Sequence, residues 1–293
     1  MAEKPTAGER AHVLWQSYLT GDTALLEPRV RMARKIFAAL PSPPRCRVCF
    51  APFRGLGGRV VGLFGFGAGK SRFNPTLCDR CEKIVKKHQV GAEVEMTLLF
   101  ADIRGSTTLA EKIGPTEFHH IVDRFYRAST DILVDTGALI DKLVGDEVVA
   151  LYAPGIAGED FARRAIGAAR RMLLATGHGT PEGPWLPVGI GIHTGRVYVG
   201  AIGSSDGVSD ITVLGDPANT AARLASQAGP GEVLVGDETC RLVGLPDDAC
   251  EKRRLQLKGR AQPADVHVVS ATEPVFGFQG RERGAKSPGG GKR

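Results

Sequence analysis

Residues 138–152, ALIDKLVGDEVVALY, are two apolar runs that meet at Gly145-Asp146. Strand-forming residues on both sides of a Gly-Asp pair predict a β-hairpin, and the turn decides which residues can pair. A second run, Glu95-Met-Thr-Leu-Leu-Phe-Ala-Asp102-Ile, predicts a strand with a carboxylate at its end, followed by Arg104-Gly-Ser-Thr and a helical stretch. A sheet is therefore expected, with Asp102 at a strand end and Asp146 at a hairpin tip. Two such carboxylates can converge on a pair of divalent cations, and hard oxygen ligands suit Mg²⁺ or Mn²⁺. Taken singly, each aspartate reads first as a turn residue.

Downstream, SDITVLGDPANTAARLASQAGPG predicts a helix with Asp216 as N-cap, Pro217 at the first helical position and Gly229-Pro230 past its end. Asn219 and Arg223 are then i and i+4 on one face, where an amide and a guanidinium can meet the same anion. An amphipathic helix with an incidental arginine has the same local pattern.

Cys46-Arg-Val-Cys49 and Cys78-Asp-Arg-Cys81 form two CxxC pairs. Each short turn aims two sulfurs at one point, so the pairs predict one tetrahedral, structural Zn²⁺ held by Cys46, Cys49, Cys78 and Cys81. Disulfides are disfavoured in the cytoplasm, and buried free thiols do not come as matched pairs. Cys240 and Cys250 stand alone and read as ordinary core or near-surface residues. Between the pairs lies VVGLFGFGAGKS, residues 60–71, which ends in the Gly-Lys-Ser of a phosphate-binding loop. The P-loop spacing requires glycine where Phe64 stands, and Arg72-Phe-Asn-Pro75 follows where a helix should begin. Gly62 to Lys70 are expected instead as a loop of the zinc module.

The remaining organisation follows from pattern and charge. Residues 9–40 predict two helical pieces: His12, Trp15 and Leu19 in the first, Leu25 through Leu40 in the second. Thr20-Gly21-Asp22-Thr23 separates them, and Pro41-Ser-Pro-Pro44 is the stop. No leader-like N-terminus and no run of about 18 apolar residues occurs, which places the protein in the cytoplasm with no membrane span. Residues 1–93 carry 16 basic and 7 acidic side chains, whereas 94–270 carry 17 and 23. A nucleic acid or an acidic surface is a possible partner of the basic N-terminal third, and a solvated basic face is the simpler reading. The Gly-, Lys- and Arg-rich residues 271–293 predict a disordered basic tail.

FADIRGST, DKLVGDE, GIGIHTGRVYVGAIGS and TVLGDPANTAARL, in that order and spacing, resemble the class III nucleotidyl cyclase catalytic domain over about residues 94–270. The resemblance implies an α/β (α+β), ferredoxin-like-derived fold and a homodimer with two active sites across its interface. The chain divides accordingly into a helical segment (1–44), a zinc-ribbon-like module (45–90), the catalytic domain (91–270) and the tail. Asp102 and Asp146 match the aspartates that bind two Mg²⁺ or Mn²⁺ ions. Asn219 and Arg223 match the pair that stabilises the transition state at the α-phosphate, and Lys258 matches the lysine on the terminal phosphates. These three would serve the site whose aspartates belong to the partner chain. Lys142 matches the adenine-reading lysine, where guanylyl cyclases typically place an acidic residue. Its companion position, usually aspartate in adenylyl cyclases, is Thr212, whose hydroxyl can accept from the adenine amino group.

The implied activity is an adenylyl cyclase that converts ATP to 3′,5′-cyclic AMP and pyrophosphate in signal transduction. A guanylyl cyclase and a catalytically silent nucleotide-binding module are the alternatives. Thr212 also resembles the subgroup with bicarbonate-responsive members, which makes bicarbonate a candidate effector. The helices and zinc module are expected to set the relation of the two catalytic protomers.

Overall fold

A computed structural model describes residues 5–26, 28–40, 45–53, 55–63, 69–71, 76–87, 89–203, 209–246, 248–259 and 262–272. The Pro41–Pro44 stop, residues 64–68 of the glycine run, Arg72–Pro75 and the tail beyond 272 lie outside these residues.

Helix α1 (Ala7–Thr20) opens on a capping box, in which Thr6 Oγ1 accepts from Glu9 N at 3.2 Å and Glu9 accepts from Thr6 N at 2.7 Å. It closes at Gly21, in the left-handed region. A 3₁₀ turn (Thr23–Leu25) leads to α2 (Pro28–Ala39), so the two expected helical pieces are present. Helix α3 (Gly55–Leu63) differs from expectation, because Gly62 and Leu63 end a helix rather than begin a loop. One of its four glycines has a packing reason: a Cβ on Gly58 would come within 3.2 Å of the Phe53 main chain. Helix α4 (Asp79–Lys87) begins one residue after Cys78 and leads into the sheet.

Strand β1 (Gly91–Ile103) is followed by α5 (Ser106–Ile113) and α6 (Pro115–Thr136). The predicted hairpin is β2 (Leu139–Val144) and β3 (Glu147–Tyr152), followed by α7 (Pro154–Ala157) and α8 (Phe161–Ala175). Strands β4 (Val188–Gly203) and β5 (Ser209–Leu214) precede α9 (Asp216–Gln227). Then come β6 (Glu232–Gly236), α10 (Asp237–Val243), β7 (Glu251–Leu255) and β8 (Ala264–Ser270). The sheet has eight strands in the order β2-β3-β1-β4-β6-β8-β7, with β5 paired to β4. Its pairs are antiparallel except β4 with β6. The fold class is the mixed α/β expected. Among the described residues no helix is long and apolar enough to cross a membrane.

Side-chain alternation along β1 divides the interior in two. Leu99, Ala101 and Ile103 pack with Phe125 and Leu133 of α6 and Ala165, Ala169 and Met172 of α8. Met96, Leu98 and Phe100 look the other way, onto α9 and the N-terminal elements. Trp15, Tyr18, Leu19, Cys46, Val48, Leu77, Cys78 and Cys81 belong to that second cluster, so the cysteine knuckles and the sheet share one core. The Trp15 indole donates to the Val199 carbonyl of β4 at 2.9 Å, which ties α1 to the same strand.

The seat of α9 is made by glycines. Gly189, Gly191 and Gly195 share one face of β4, and α9 lies against them. A Cβ would meet Ala228 O at 2.6 Å from Gly189, Ala225 N at 2.2 Å from Gly191 and a Pro217 ring carbon at 2.5 Å from Gly195. The N-cap of α9 is Gly215 at φ 142°, with Asp216 already in the first turn, so the helix begins one residue earlier than predicted. Glycine suits this position, where a Cβ would press on Val197 at 3.3 Å.

Candidate active site

Asp102 is the penultimate residue of β1, paired across the sheet with Glu147 of β3 and Gly189 of β4. The β2–β3 turn carries Asp146 to the same place, where the Asp146 carbonyl accepts from Ile103 N at 3.3 Å. Gly145 takes the left-handed conformation the tight turn needs (φ 62°), and its carbonyl accepts from the Tyr126 hydroxyl at 2.9 Å. Strand end and hairpin tip therefore converge, bringing Asp102 and Asp146 together.

The charges there are crowded. Burial raises the Glu147 carboxyl above its ordinary value, the Asp146 charge adds to the rise, and Arg104 opposes it. Burial likewise raises the Tyr126 hydroxyl, with Asp146 and Glu147 contributing. Arg104 ion-pairs with Asp102. The carboxylates gathered here are hard oxygen donors of the kind that suits divalent cations.

The structure also joins Lys142 and Thr212, 70 positions apart in sequence: Lys142 Nζ donates to Thr212 Oγ1 at 2.9 Å. Strand β2 ends the sheet order and β5 hangs from β4, so this bond requires the sheet to coil until the two meet. On α9, Asn219 is exposed and Arg223 is half-buried. Arg223 abuts the turn holding exposed Lys258, since a Cβ on Gly259 would lie 3.4 Å from Arg223 Nη2. Among the described residues no hydrogen bond or ion pair joins Asp102 or Asp146 to Asn219, Arg223 or Lys258. Sequence reasoning passed over Arg104, although it stands inside FADIRGST; a cation two residues after a strand-end aspartate was the available signal.

In the N-terminal module the ligand atoms of Cys46, Cys49, Cys78 and Cys81 all lie within 4.8 Å of one another, and none is in a disulfide. Cys78 N donates to Cys46 Sγ and Cys81 N to Cys78 Sγ, each at 3.4 Å, as knuckle turns do for thiolates. Phe50, directly after Cys49, takes a left-handed conformation (φ 63°) that non-glycine residues avoid, and the Arg34 guanidinium covers its ring at 4.6 Å. The cluster fits a tetrahedral zinc ion.

Residues 89–270 match the adenylate and guanylate cyclase catalytic domain, well over half of the chain. The chain belongs to the class III nucleotidyl cyclase family. An adenylate cyclase of Anabaena cylindrica is 29% identical over 204 residues, 64% of this chain and 39% of that protein. An uncharacterised protein of Mycobacterium tuberculosis is 30% identical over 208 residues, 68% of this chain and 34% of its own length. This cyclase chain thus spans well under half of those curated relatives. Among solved structures, the guanylyl cyclase Cya2 aligns with a TM-score of 0.55 at 28% identity, covering 63% of this chain and 96% of that one. The adenylyl cyclase CyaB from P. aeruginosa aligns with a TM-score of 0.53 at 28% identity, covering 61% and 96%. Class III cyclase domains bind a nucleotide substrate, use divalent metals at the active site and function as dimers.

Proposed function

We propose that this cyclase acts on ATP, forming 3′,5′-cyclic AMP and pyrophosphate in a homodimer. The observation that carries the choice of base is the 2.9 Å bond between Lys142 and Thr212. It holds an ammonium donor beside a hydroxyl that can accept. Adenine presents a ring-nitrogen acceptor next to an amino donor, which that pair complements. Guanine presents a ring N–H where the lysine needs an acceptor, and a lysine cannot accept.

Asp102 and Asp146 would hold two Mg²⁺ or Mn²⁺ ions, which activate the ribose 3′-hydroxyl and stabilise the leaving pyrophosphate. Asn219 and Arg223, exposed and half-buried on one face of α9, would donate to the α-phosphate oxygens as charge builds there. Lys258 beside Arg223 would neutralise the terminal phosphates. As the family resemblance implies, each site would take its aspartates from one chain and Asn219, Arg223 and Lys258 from the other. Cys46, Cys49, Cys78 and Cys81 would hold one structural zinc, with no coordination position left for chemistry.

Purified full-length protein supplied with Mn²⁺ and with ATP or GTP in parallel tests the assignment by product chromatography. Cyclic AMP as the dominant product is expected. A preference for cyclic GMP would overturn the base assignment, and no product from either nucleotide would make the chain a silent nucleotide-binding module.

A further inference from the structure

Arg104 has no part in the roles above. Its main-chain N–H is fixed to the Pro187 carbonyl at 2.8 Å. Its half-buried side chain divides between two partners. Nη2 ion-pairs with Asp102, while Nη1 donates to Ser226 O at 2.9 Å and, more weakly, to Ala228 O at 3.5 Å. Ser226 lies in the last turn of α9 and Ala228 just past its end, where unpaired carbonyls carry the negative end of the helix dipole. Nε is buried and makes no hydrogen bond, so this double engagement leaves one donor unsatisfied. Helix α9 packs directly on the bare backbone of β4 at Gly189, Gly191 and Gly195, and its intrahelical hydrogen bonds make it one stiff unit. A displacement of its C-terminal carbonyls is then also a displacement of Asn219 and Arg223.

We propose that Arg104 is a positioning residue that couples the two active sites of the dimer. It links Asp102, in the site built by its own protomer's aspartates, to the end of the helix that supplies Asn219 and Arg223 to the other site. The inference rests on the site assignments made under Proposed function. Arg104 is paired with Asp102, and the charges of Asp146 and Glu147 also act on it. A cation on Asp102 removes that demand, and the guanidinium is left to the carbonyls of α9. The two states differ in what Arg104 holds, which is the differential contact that coupling between sites requires.

The test uses the nucleotide-free, full-length dimer and Mn²⁺ as probe. Free Mn²⁺ is measured by electron paramagnetic resonance, and amide exchange of α9 is followed by mass spectrometry. In the wild type, Mn²⁺ is expected to change exchange in the last turn of α9 about twofold or more. Arg104→Gln is expected to bind Mn²⁺ several-fold more tightly, its competitor gone, while α9 no longer responds. Arg104→Lys restores a counter-ion but cannot bridge both partners, so near-wild-type Mn²⁺ affinity with a weakened α9 response is expected; it also serves if the glutamine variant does not fold. An α9 response that persists in the substituted protein, or Mn²⁺ affinity that is unchanged or lower in Arg104→Gln, overturns the coupling. Asp102→Asn separates the two levels: Mn²⁺ binding unaffected by that change overturns the metal assignment beneath the proposal, and the proposal with it.

Discussion

The two ends of the β1–β4 pair are secured by opposite means. At the Gly91 end, the Tyr198 side chain occupies the space over Gly91, where a Cβ would lie 2.0 Å from its hydroxyl, and the Trp15 indole caps Val199. Gln89 donates to Gly203 O at 2.6 Å and Ala201 to Val90 O at 3.0 Å, so the link from α4 is stitched to the far end of β4. Beyond it sit fully buried Trp15, Leu19 and Leu77 and the cysteine knuckles. At the Asp102 end the last rung, Ile103 with Val188, is buried in the core on one face, while charged and polar groups gather on the other. Carboxylates, Arg104 and helix-end carbonyls balance one another there, and each can exchange its partner for a ligand. The first end is closed by packing and hydrogen bonds, and the second by charges that a ligand could also satisfy.

The sharpest test of this contrast is complementation. Asp102→Ala and Arg223→Ala should each lower cyclase activity by about 10²–10³-fold or more, as loss of transition-state electrostatics does. Mixed, the two inactive variants should recover activity toward about a quarter of wild type, because half of randomly paired dimers carry one intact site. No recovery, with heterodimers shown to form, would mean that the residues do not meet across an interface.

Zinc removal should act at the other end and reach further than a peripheral module would. Cys81→Ser, or chelation, is expected to destabilise the chain by about 4 kcal/mol or more, since it opens the core that β1 shares. Thermal melts should show one transition shifting as a whole. A catalytic transition left in place while a separate one disappears would show that the shared core is energetically divided.

A smaller effect isolates one link. Trp15→Phe deletes the indole donor to Val199 and leaves a small cavity at a fully buried site, which should cost about 2 kcal/mol in denaturant unfolding. Mn²⁺ affinity at Asp102 should not change; if it did, the ends would be less independent than their construction implies.

The smallest effect is one of pH. Burial depresses the His178 pKa, and its neutral Nε2 accepts from Val188 N at 3.1 Å, at the start of β4. The unfolded chain therefore binds this proton more readily, so the contribution is complete above the ordinary histidine range and is lost as pH falls through it. Stability should decline slightly below about pH 6.5, and His178→Gln should flatten that part of the profile.

Much of the site was legible because its elements announce themselves locally. The Gly145-Asp146 turn, the apolar run ending at Asp102 and the proline-led helix at 216 each have short-range signatures, and the structure places all three. The bond from Lys142 to Thr212 has none, because it depends on how far the whole sheet coils. CxxC spacing reports on two turns and says nothing of what packs against them, so the shared core of knuckles and sheet was invisible. The N-cap at Gly215 was missed because aspartate is the better cap by chemistry, and a glycine N-cap makes no side-chain cap bond that the sequence could signal.

The glycine seat of α9 has a consequence for mutational tolerance. Gly189, Gly191 and Gly195 touch no substrate in the mechanism proposed, yet any side chain at these positions would displace the helix that carries Asn219 and Arg223. A saturation screen for lost cyclase activity would therefore score these bare backbone positions alongside the reacting groups. An engineer who wished to loosen or retune the enzyme would find its finest adjustment in three places where the chain has no side chain at all.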